Sequence, residues 1–504
     1  LDRYQHMENR HRAPLYERIL EHRAKRPSSF HVPGHKQGAV IPDRWESLKG
    51  WMALDYTELT GLDDLHQPEG VIREAEQLAA ECYGADRTYF LVQGSTLGNL
   101  ACILGVCDPG DLILADRFVH KSVVNGLMLA EAQAVFLSPV WDPVTGYACG
   151  IDERSLEQAL HTYPHAKAVF LTRPNYFGQA SDLTALIRMA HRFGIPVIVD
   201  EAHGAHFGFH EEVPLSALRY GADAVVQSTH KMLAALTMGS MLHLQGERIN
   251  RTRIERAIRM LQTSSPSYPI MASLDAARCL MHTEGHRWVA NGLAAVRSFC
   301  RGMAEMPWFI LPASVERPEA ACGASPQARV MQDPFKQPVR DGTGLLSGYR
   351  LQTLLEEHGC MVEMADERHI LLVFSPFSSG RDSERIVNIF RLISMQYGLD
   401  KKERTKTLAN ISVLPNIPVS TEPVKFSRHL PNQPEEIVEV PLSEAVGARS
   451  ADMIIPYPPG IPFVYPGERF DRDVAEALRH MASLGARFQG SVDSSLSRVR
   501  VYRR

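Results

Sequence analysis

Pro196-Val-Ile-Val-Asp200 runs directly into Glu201-Ala-His-Gly-Ala-His206, and further on Ala224-Val-Val-Gln-Ser228 runs into Thr229-His-Lys231. Each is a short apolar run of strand length that stops on a group able to do chemistry. The same punctuation recurs on both sides, with strand-like runs at 88–92, 112–115, 134–137, 168–172 and 240–244. Helical periodicity fills most of the gaps, over 97–106, 120–131, 153–162 and 182–193. Short continuous apolar strands alternating with helices predict an α/β fold whose mostly parallel sheet is covered on both faces. On such sheets ligands bind beyond the carboxyl ends of the strands, so the residues just after each strand are the ones to inspect.

Three strand ends stand out. The first strand runs into Gln93-Gly-Ser-Thr-Leu-Gly-Asn99 and then a helix. There a glycine, two hydroxyls and unpaired helix amides make an anion site of the phosphate-binding kind. The second ends in Asp200, costly to bury at a strand tip without a cationic partner. The third ends in Ser228-Thr-His-Lys231, beside the apolar Met232-Leu-Ala-Ala-Leu236. A lysine there has reason to carry a lowered pKa, and a neutral amine can form a Schiff base. Each has a plainer reading alone: Ser95 and Thr96 as N-caps, Asp200 as a loop cap, Lys231 as a solvated charge. Together they place a phosphate cradle, a carboxylate and a lysine along one sheet edge. Pyridoxal phosphate needs that set for its phosphate, its pyridine nitrogen and its aldehyde.

The rest of the chain sets the frame. Its 504 residues suggest two to four domains. A helical arm over 1–28, a large cofactor-binding domain over 29–306 and a smaller α+β region over 307–400 are expected. A connecting segment over 401–435 and a C-terminal domain over 436–504 follow. In the α+β region a helix is read over 345–358 and strands over 361–364 and 370–374, with 307–343 a Pro- and Gly-rich crossing. With 54 basic against 58 acidic residues the chain lacks the positive excess of a nucleic-acid coat. Its 44% hydrophobic content excludes a disordered chain. No apolar run approaches the roughly 18 residues of a membrane span, and residues 1–11 lack the apolar core of a secretory signal. The eight cysteines are scattered without a CxxC pair, and read as reduced core residues of a cytoplasmic protein.

The sequence resembles the fold-type I, pyridoxal-phosphate-dependent ornithine/lysine/arginine decarboxylases, in the shorter bacterial form. The resemblance is carried by FHVPGHKQG (30–38), TELTGLDDLHQPEG (57–70), VQGSTLGN (92–99), DRFVHKSVVNGL (116–127), VDEAHGAHFGFH (199–210), QSTHKMLAALT (227–237), SPSYPIMASLD (265–275) and PYPPGIP (456–462). It implies that Lys231 bonds the cofactor aldehyde and that Asp200 keeps the pyridine nitrogen protonated. Ser95, Thr96, Ser228 and His230 are implied to hold the phosphate, and His120 to stack on the ring. His203 is implied to reach the ring oxygen or the substrate, and with Lys231 it is a candidate proton donor. The resemblance further implies a basic amino acid as substrate, with arginine ahead of lysine and ornithine. It implies a homodimer or higher oligomer, with Pro33-Gly-His-Lys36 near an active site, and no metal, nucleic acid or membrane. For the substrate's distal cation, Glu468 and Asp64 are candidate partners.

One stretch departs from the family pattern. In Leu171-Thr-Arg-Pro-Asn-Tyr-Phe-Gly178, Arg173 and Asn175 stand where small or hydroxyl residues are expected near the cofactor. That keeps open a regulatory homologue without turnover, or a different pyridoxal-phosphate reaction. A third alternative is a metal hydrolase, because Asp200, His203, His206 and His210 have ligand-like spacing.

Overall fold

The computed structural model describes residues 9–142, 147–311, 320–321, 329–402, 422–427, 437–457, 462–483, 486–491, 493 and 495–503. Two compact units account for the chain. The first comprises Leu1–Val106, Pro196–Glu211 and Leu215–Trp288, the second Cys107–Ile195, Glu212–Pro214 and Val289–Arg504.

In the first unit four strands stand in the order Arg87–Leu91, Ser240–Leu244, Ala224–Gln227, Val197–Asp200. The first, third and fourth run one way, and Ser240–Leu244 runs against them. The reversal follows from the link before it. Residues 228–239 contain only the four-residue helix Thr229–Met232, too short to carry the chain back along a strand for a parallel crossover. Leu91 pairs with Ser240 and Gln227 with Met241, while Asp200 pairs with Val226. The register therefore brings Gly94, Asp200 and Ser228 to one end of the sheet. Helix Gly94–Val106 lies close on these strands because it carries glycine at the contact. A Cβ at Gly98 would sit 2.6 Å from Val226 Cγ1, and one at Gly105 would sit 2.3 Å from Ile254 Cδ1 on helix Arg251–Leu261.

The arm helix Pro14–Ala24 buries Leu15 and Ile19. Its start is held by the fully buried pair Asp275–Arg278: Leu15 N donates to Asp275 Oδ2, and Arg278 Nη2 to the carbonyl of Arg12 and to Asp275 Oδ1.

In the second unit strands Val169–Thr172, Leu112–Asp116 and Gln133–Leu137 lie parallel in that order, with Val424–Lys425 added antiparallel to the last. In each unit the four strands just described have three running the same way, and the mostly parallel α/β expectation holds. A four-stranded antiparallel sheet follows, Phe309–Ile310, Lys336–Asp341, His369–Val373 and Met364–Ala365, with helices Gly348–Glu357 and Gly380–Tyr397. This is the smaller α+β element. Strand Lys336–Asp341 falls in the stretch 307–343 read as a Pro- and Gly-rich crossing. It is buried nonetheless, and its polar groups find partners: Gln337 Nε2 donates to the Pro334 carbonyl, and Asp341 accepts from the amides of Thr343, Leu345 and Leu346.

The C-terminal stretch pairs Ile437–Pro441 with Arg498–Tyr502 and Ile455–Tyr457 with Arg487–Gln489. Helix Arg472–Ser483 closes an apolar core of Leu442, Ile454, Val464, Phe470, Leu478 and Val499. Most of the connecting segment read over 401–435, and residues 458–461 of PYPPGIP, lie outside the described residues. Cys82, Cys102, Cys107, Cys279, Cys300 and Cys360 form no disulfide, but only Cys102 and Cys107 are buried as core residues; the other four are half-buried. Cys149 is disulfide-bonded, which corrects the all-reduced reading; its partner lies outside the described residues. Among the described residues no helix is long and apolar enough to cross a membrane.

Candidate active site

Strand Val197–Asp200 is buried throughout and delivers Asp200 to its tip, 4% exposed. Its Oδ2 accepts from Asn99 Nδ2 at 2.8 Å and its Oδ1 from the Ala202 amide at 3.1 Å. Both donors are neutral, and among the described residues the carboxylate has no ion-pair partner. A buried carboxylate satisfied only by neutral donors is a place for a cation to bind. Asn99 is the functional residue that sequence reading passed over. A polar side chain inside the apolar run from Leu97 to Val106 was the available signal, and Gly98 lets the helix come near enough for Asn99 to reach the strand tip.

The neighbouring residue does different work. Glu201 is fully buried and fastens the turn to the scaffold, its carboxylate accepting from Ser216 Oγ, the Ala217 amide and Gln227 Nε2. The turn then presents His203, whose Nε2 lies 3.0 Å from Lys231 Nζ. Lys231 is itself exposed, on the short helix after strand Ala224–Gln227. One proton can therefore be shared or passed between these two nitrogens.

At the same sheet end, Ser228 Oγ donates to Ser95 Oγ at 2.8 Å. Ser95 stands in the first turn of helix Gly94–Val106, where the amides and the macrodipole favour an anion. Gly94 has φ +78°, the left-handed region that favours glycine, and a Cβ there would meet nothing within 4 Å. The approach to these hydroxyls is open, and Thr96 beside them is exposed. His230 is tied to the backbone, its Nδ1 2.9 Å from the Gly239 carbonyl. Burial holds its imidazole below the ordinary value; that hydrogen bond opposes the shift and the nearby Lys231 charge adds to it.

Asp200, His203, Ser95, Thr96, Ser228, His230 and Lys231 all belong to the first unit. His120 belongs to the second, where its Nδ1 accepts from the Ser122 amide and lies 2.8 Å from Ser122 Oγ, capping helix Lys121–Ala130. Arg173 and Asn175 are also in the second unit, and the described contacts of both are structural. Arg173 is 2% exposed and its Nε donates to the Ser181 carbonyl at 2.7 Å. Asn175 Nδ2 donates to the Ala148 carbonyl and Gln179 Oε1, and its Oδ1 accepts from the Gln179 amide. The departure from the family pattern is thus tied into the loop's own framework.

Of the two candidates for a distal cation, Glu468 is already engaged. Arg117 Nη2 donates to Glu468 Oε1 and Oε2 at 2.9 and 3.1 Å and to the Phe463 carbonyl. The guanidinium lies 4.3 Å from the centre of the Tyr465 ring, which stacks on Phe136. Burial pushes the Glu468 carboxyl up, and Arg117 opposes it. Arg117→Met should leave this carboxylate unpaired in a largely closed setting and cost about 3 kcal/mol. Thermal unfolding should show a lowered Tm, with part of the loss recovered in Arg117→Met/Glu468→Gln. An unchanged Tm for the single variant would show that the pair is not structural. Asp64 is exposed and accepts from the His66 amide.

The metal-hydrolase grouping does not assemble. Asp200 and His203 are occupied as above, and the carboxylate–imidazole cluster that includes His210 draws on Glu211 and His286 instead.

A lysine, a buried aspartate and paired serines stand at one strand edge of this α/β scaffold, whose architecture is that of the fold type I enzymes. The Orn/Lys/Arg decarboxylase major domain matches residues 13–382, and the C-terminal domain of the same family matches residues 418–491. The chain belongs to the Orn/Lys/Arg decarboxylase family, and is an amino-acid decarboxylase, a carboxy-lyase. It is 40% identical over 492 residues to an uncharacterized protein of Bacillus subtilis (strain 168), covering 97% of this chain and 98% of that one. It is 34% identical over 496 residues to the arginine decarboxylase of the same organism, covering 98% of each. The crystal structure of the Francisella novicida lysine decarboxylase superposes with a TM-score of 0.79 at 20% identity, over 97% of this chain and 81% of that one.

Proposed function

We propose that the chain decarboxylates arginine to agmatine, with Lys231, Asp200 and His203 carrying the chemistry. The carrying observation is Asp200, a buried carboxylate with neutral donors only, at the same strand edge as the Lys231–His203 pair. Relatives named arginine decarboxylase at 32–34% identity favour arginine over lysine, since those named lysine decarboxylase stand at 24–25%.

Pyridoxal phosphate, when bound, supplies an aldehyde for the amino group and a pyridinium that accepts the electrons left as CO2 departs. Lys231 is the residue to hold the aldehyde. Asp200 holds a proton on the pyridine nitrogen, a charge–charge interaction strengthened by the dry strand tip. Asn99 and the Ala202 amide keep that carboxylate aimed. Ser95, Thr96, Ser228 and the first amides of helix Gly94–Val106 hold the phosphate, with His230 fastened beside them. His203, within hydrogen-bond distance of Lys231 Nζ, takes or returns a proton there, and one of the two delivers a proton to the substrate Cα. Stacking by His120 is supported by the family pattern Val119-His-Lys-Ser122.

A homodimer in the cytoplasm completes the proposal. The segment around Pro33–Lys36 exposes Phe30 (95%), Val32, Val40, Trp45 and Trp51, an apolar surface of the sort that marks a protein contact.

The test offers arginine, lysine and ornithine separately to the cofactor-loaded protein, with mass-spectrometric detection of the amine. Agmatine formed from arginine, and absent with Lys231→Ala, is the expected result. Cadaverine or putrescine instead would move the substrate. No amine from any of the three would overturn the proposal in favour of a regulatory role or another reaction.

A further inference from the structure

We propose that His210, Glu211 and His286 form a binding site for a first-row transition-metal cation, with Zn²⁺ the best fit. None of the three is assigned to the decarboxylase chemistry, and the proposal does not depend on it.

Glu211 Oε2 lies 3.6 Å from His210 Nδ1 and 3.3 Å from His286 Nε2. One ligand atom from each of the three residues falls within 4.8 Å of the other two. Tetrahedral zinc with bonds of about 2.0–2.1 Å to nitrogen and oxygen sets neighbouring ligand atoms about 3.4 Å apart. Two edges of the triangle already have that length. The third is no longer than 4.8 Å, and the His286 side chain, 67% exposed, has room to adjust toward it.

The fold builds this arrangement. His210 and Glu211 end the segment that leaves Asp200, while His286 projects from the helix Tyr268–Ala304. A Cβ at Gly285 would lie 2.8 Å from Phe209 Cδ1, so glycine at that position lets the segment seat against the helix. The two imidazoles consequently stand 4.4 Å apart, tilted by 30°. His210 is nearly enclosed at 6% side-chain exposure, whereas Glu211 at 75% is open to solvent. One imidazole is therefore positioned in advance, and a metal has a path in.

The donor set selects the cation. Two imidazoles and one carboxylate suit Zn²⁺, Co²⁺, Ni²⁺ or Cu²⁺, whereas Mg²⁺ and Ca²⁺ take oxygen ligands. Three protein ligands leave a fourth position for water. A bound ion would tie the segment from residue 201 to residue 211, which carries His203, to the helix, and would stabilise the folded chain by mass action.

The test uses the cofactor-loaded protein after chelator treatment and dialysis, titrated with ZnCl2 by calorimetry and with CoCl2 by visible absorption. The expected result is one equivalent of Zn²⁺ per chain that His286→Ala and Glu211→Gln lack, with a tetrahedral Co²⁺ spectrum in the unmodified protein alone. Loss of an outer partner costs about 10–100-fold in metal affinity, so loss of a direct ligand should cost about 100-fold or more. Both substituted side chains are exposed, and circular dichroism checks that the variants fold. His286→Cys should restore binding and add a thiolate-to-cobalt absorption, an effect that a merely structural histidine would not produce. No saturable Zn²⁺ binding, or equal binding by the unmodified protein and both variants, would overturn the proposal. In that case the cluster is a carboxylate hydrogen-bonded by His286 with the His210 ring alongside.

Discussion

Lys231→Ala should abolish turnover while leaving the fold intact. The side chain is exposed, so its truncation leaves no cavity, and its described partner is His203 Nε2 at 3.0 Å. Stability should change by no more than about 0.5 kcal/mol, the range of ordinary surface substitutions. The kinetic effect should be large, because under the proposed mechanism the variant loses both the amine that would hold the cofactor aldehyde and one of the two groups that would move a proton at the substrate Cα. We expect a loss of at least about 10⁴-fold in kcat, or ~5.4 kcal/mol at 1.36 kcal/mol per factor of ten. Single-turnover assays with arginine would measure it, and absorption spectra of the dialysed variant should show the cofactor no longer covalently held. Turnover within tenfold of the unmodified enzyme, in a folded variant, would refute the role of Lys231.

The second large effect belongs to Asp200. Asp200→Asn keeps the size: its one oxygen accepts from the Ala202 amide, and a flip of the Asn99 amide turns Oδ1 toward the new NH2 group, so the local structure should survive. What it removes is the negative charge that would hold a proton on the pyridine nitrogen in a site with 4% exposure. Electrostatic groups placed in dry sites are worth about 10²–10³-fold each, and we expect a loss of kcat at the upper end of that range. Cofactor should remain bound, because in the proposed site the phosphate would be held separately through Ser95, Thr96 and Ser228. Asn99→Ala should fall between this variant and the unmodified enzyme, since it disturbs the carboxylate's aim without removing its charge. Equal kcat for Asp200→Asn and the unmodified protein would mean that another group protonates the nitrogen.

Legibility in the sequence followed locality. The strands at 197–200, 224–227 and 240–244 were readable because continuous apolar runs of four or five residues between turn signals have few alternatives. Lys336–Asp341 was not, because its lysine, glutamine, proline and arginine mimic a loop, and only packing makes it a strand. The reversed direction of Ser240–Leu244 was likewise hidden, since an apolar run carries no arrow. At the site, Lys231, Asp200, Ser95 and Ser228 announced themselves as reactive types at strand ends. Asn99 did not, because its role exists only through a 2.8 Å contact with a residue 101 positions away. Glu468 showed the opposite failure: a free acid by sequence, it is held by Arg117 across a separation of 351.

The sequence by itself determined the class of scaffold, the family and the residue types gathered at the sheet's carboxyl edge, because periodicity and motif spacing are local properties of a chain. Tertiary structure alone decided that Asp200 meets neutral donors, that His203 stands beside Lys231, that Arg173 and Asn175 bond within their own loop framework, and that His210 joins Glu211 and His286. Gly98 and Gly285 allow the first and last of these approaches, and the His203–Lys231 contact joins residues 28 positions apart. Such contacts are set by the packing of whole elements, which no stretch of sequence read alone contains.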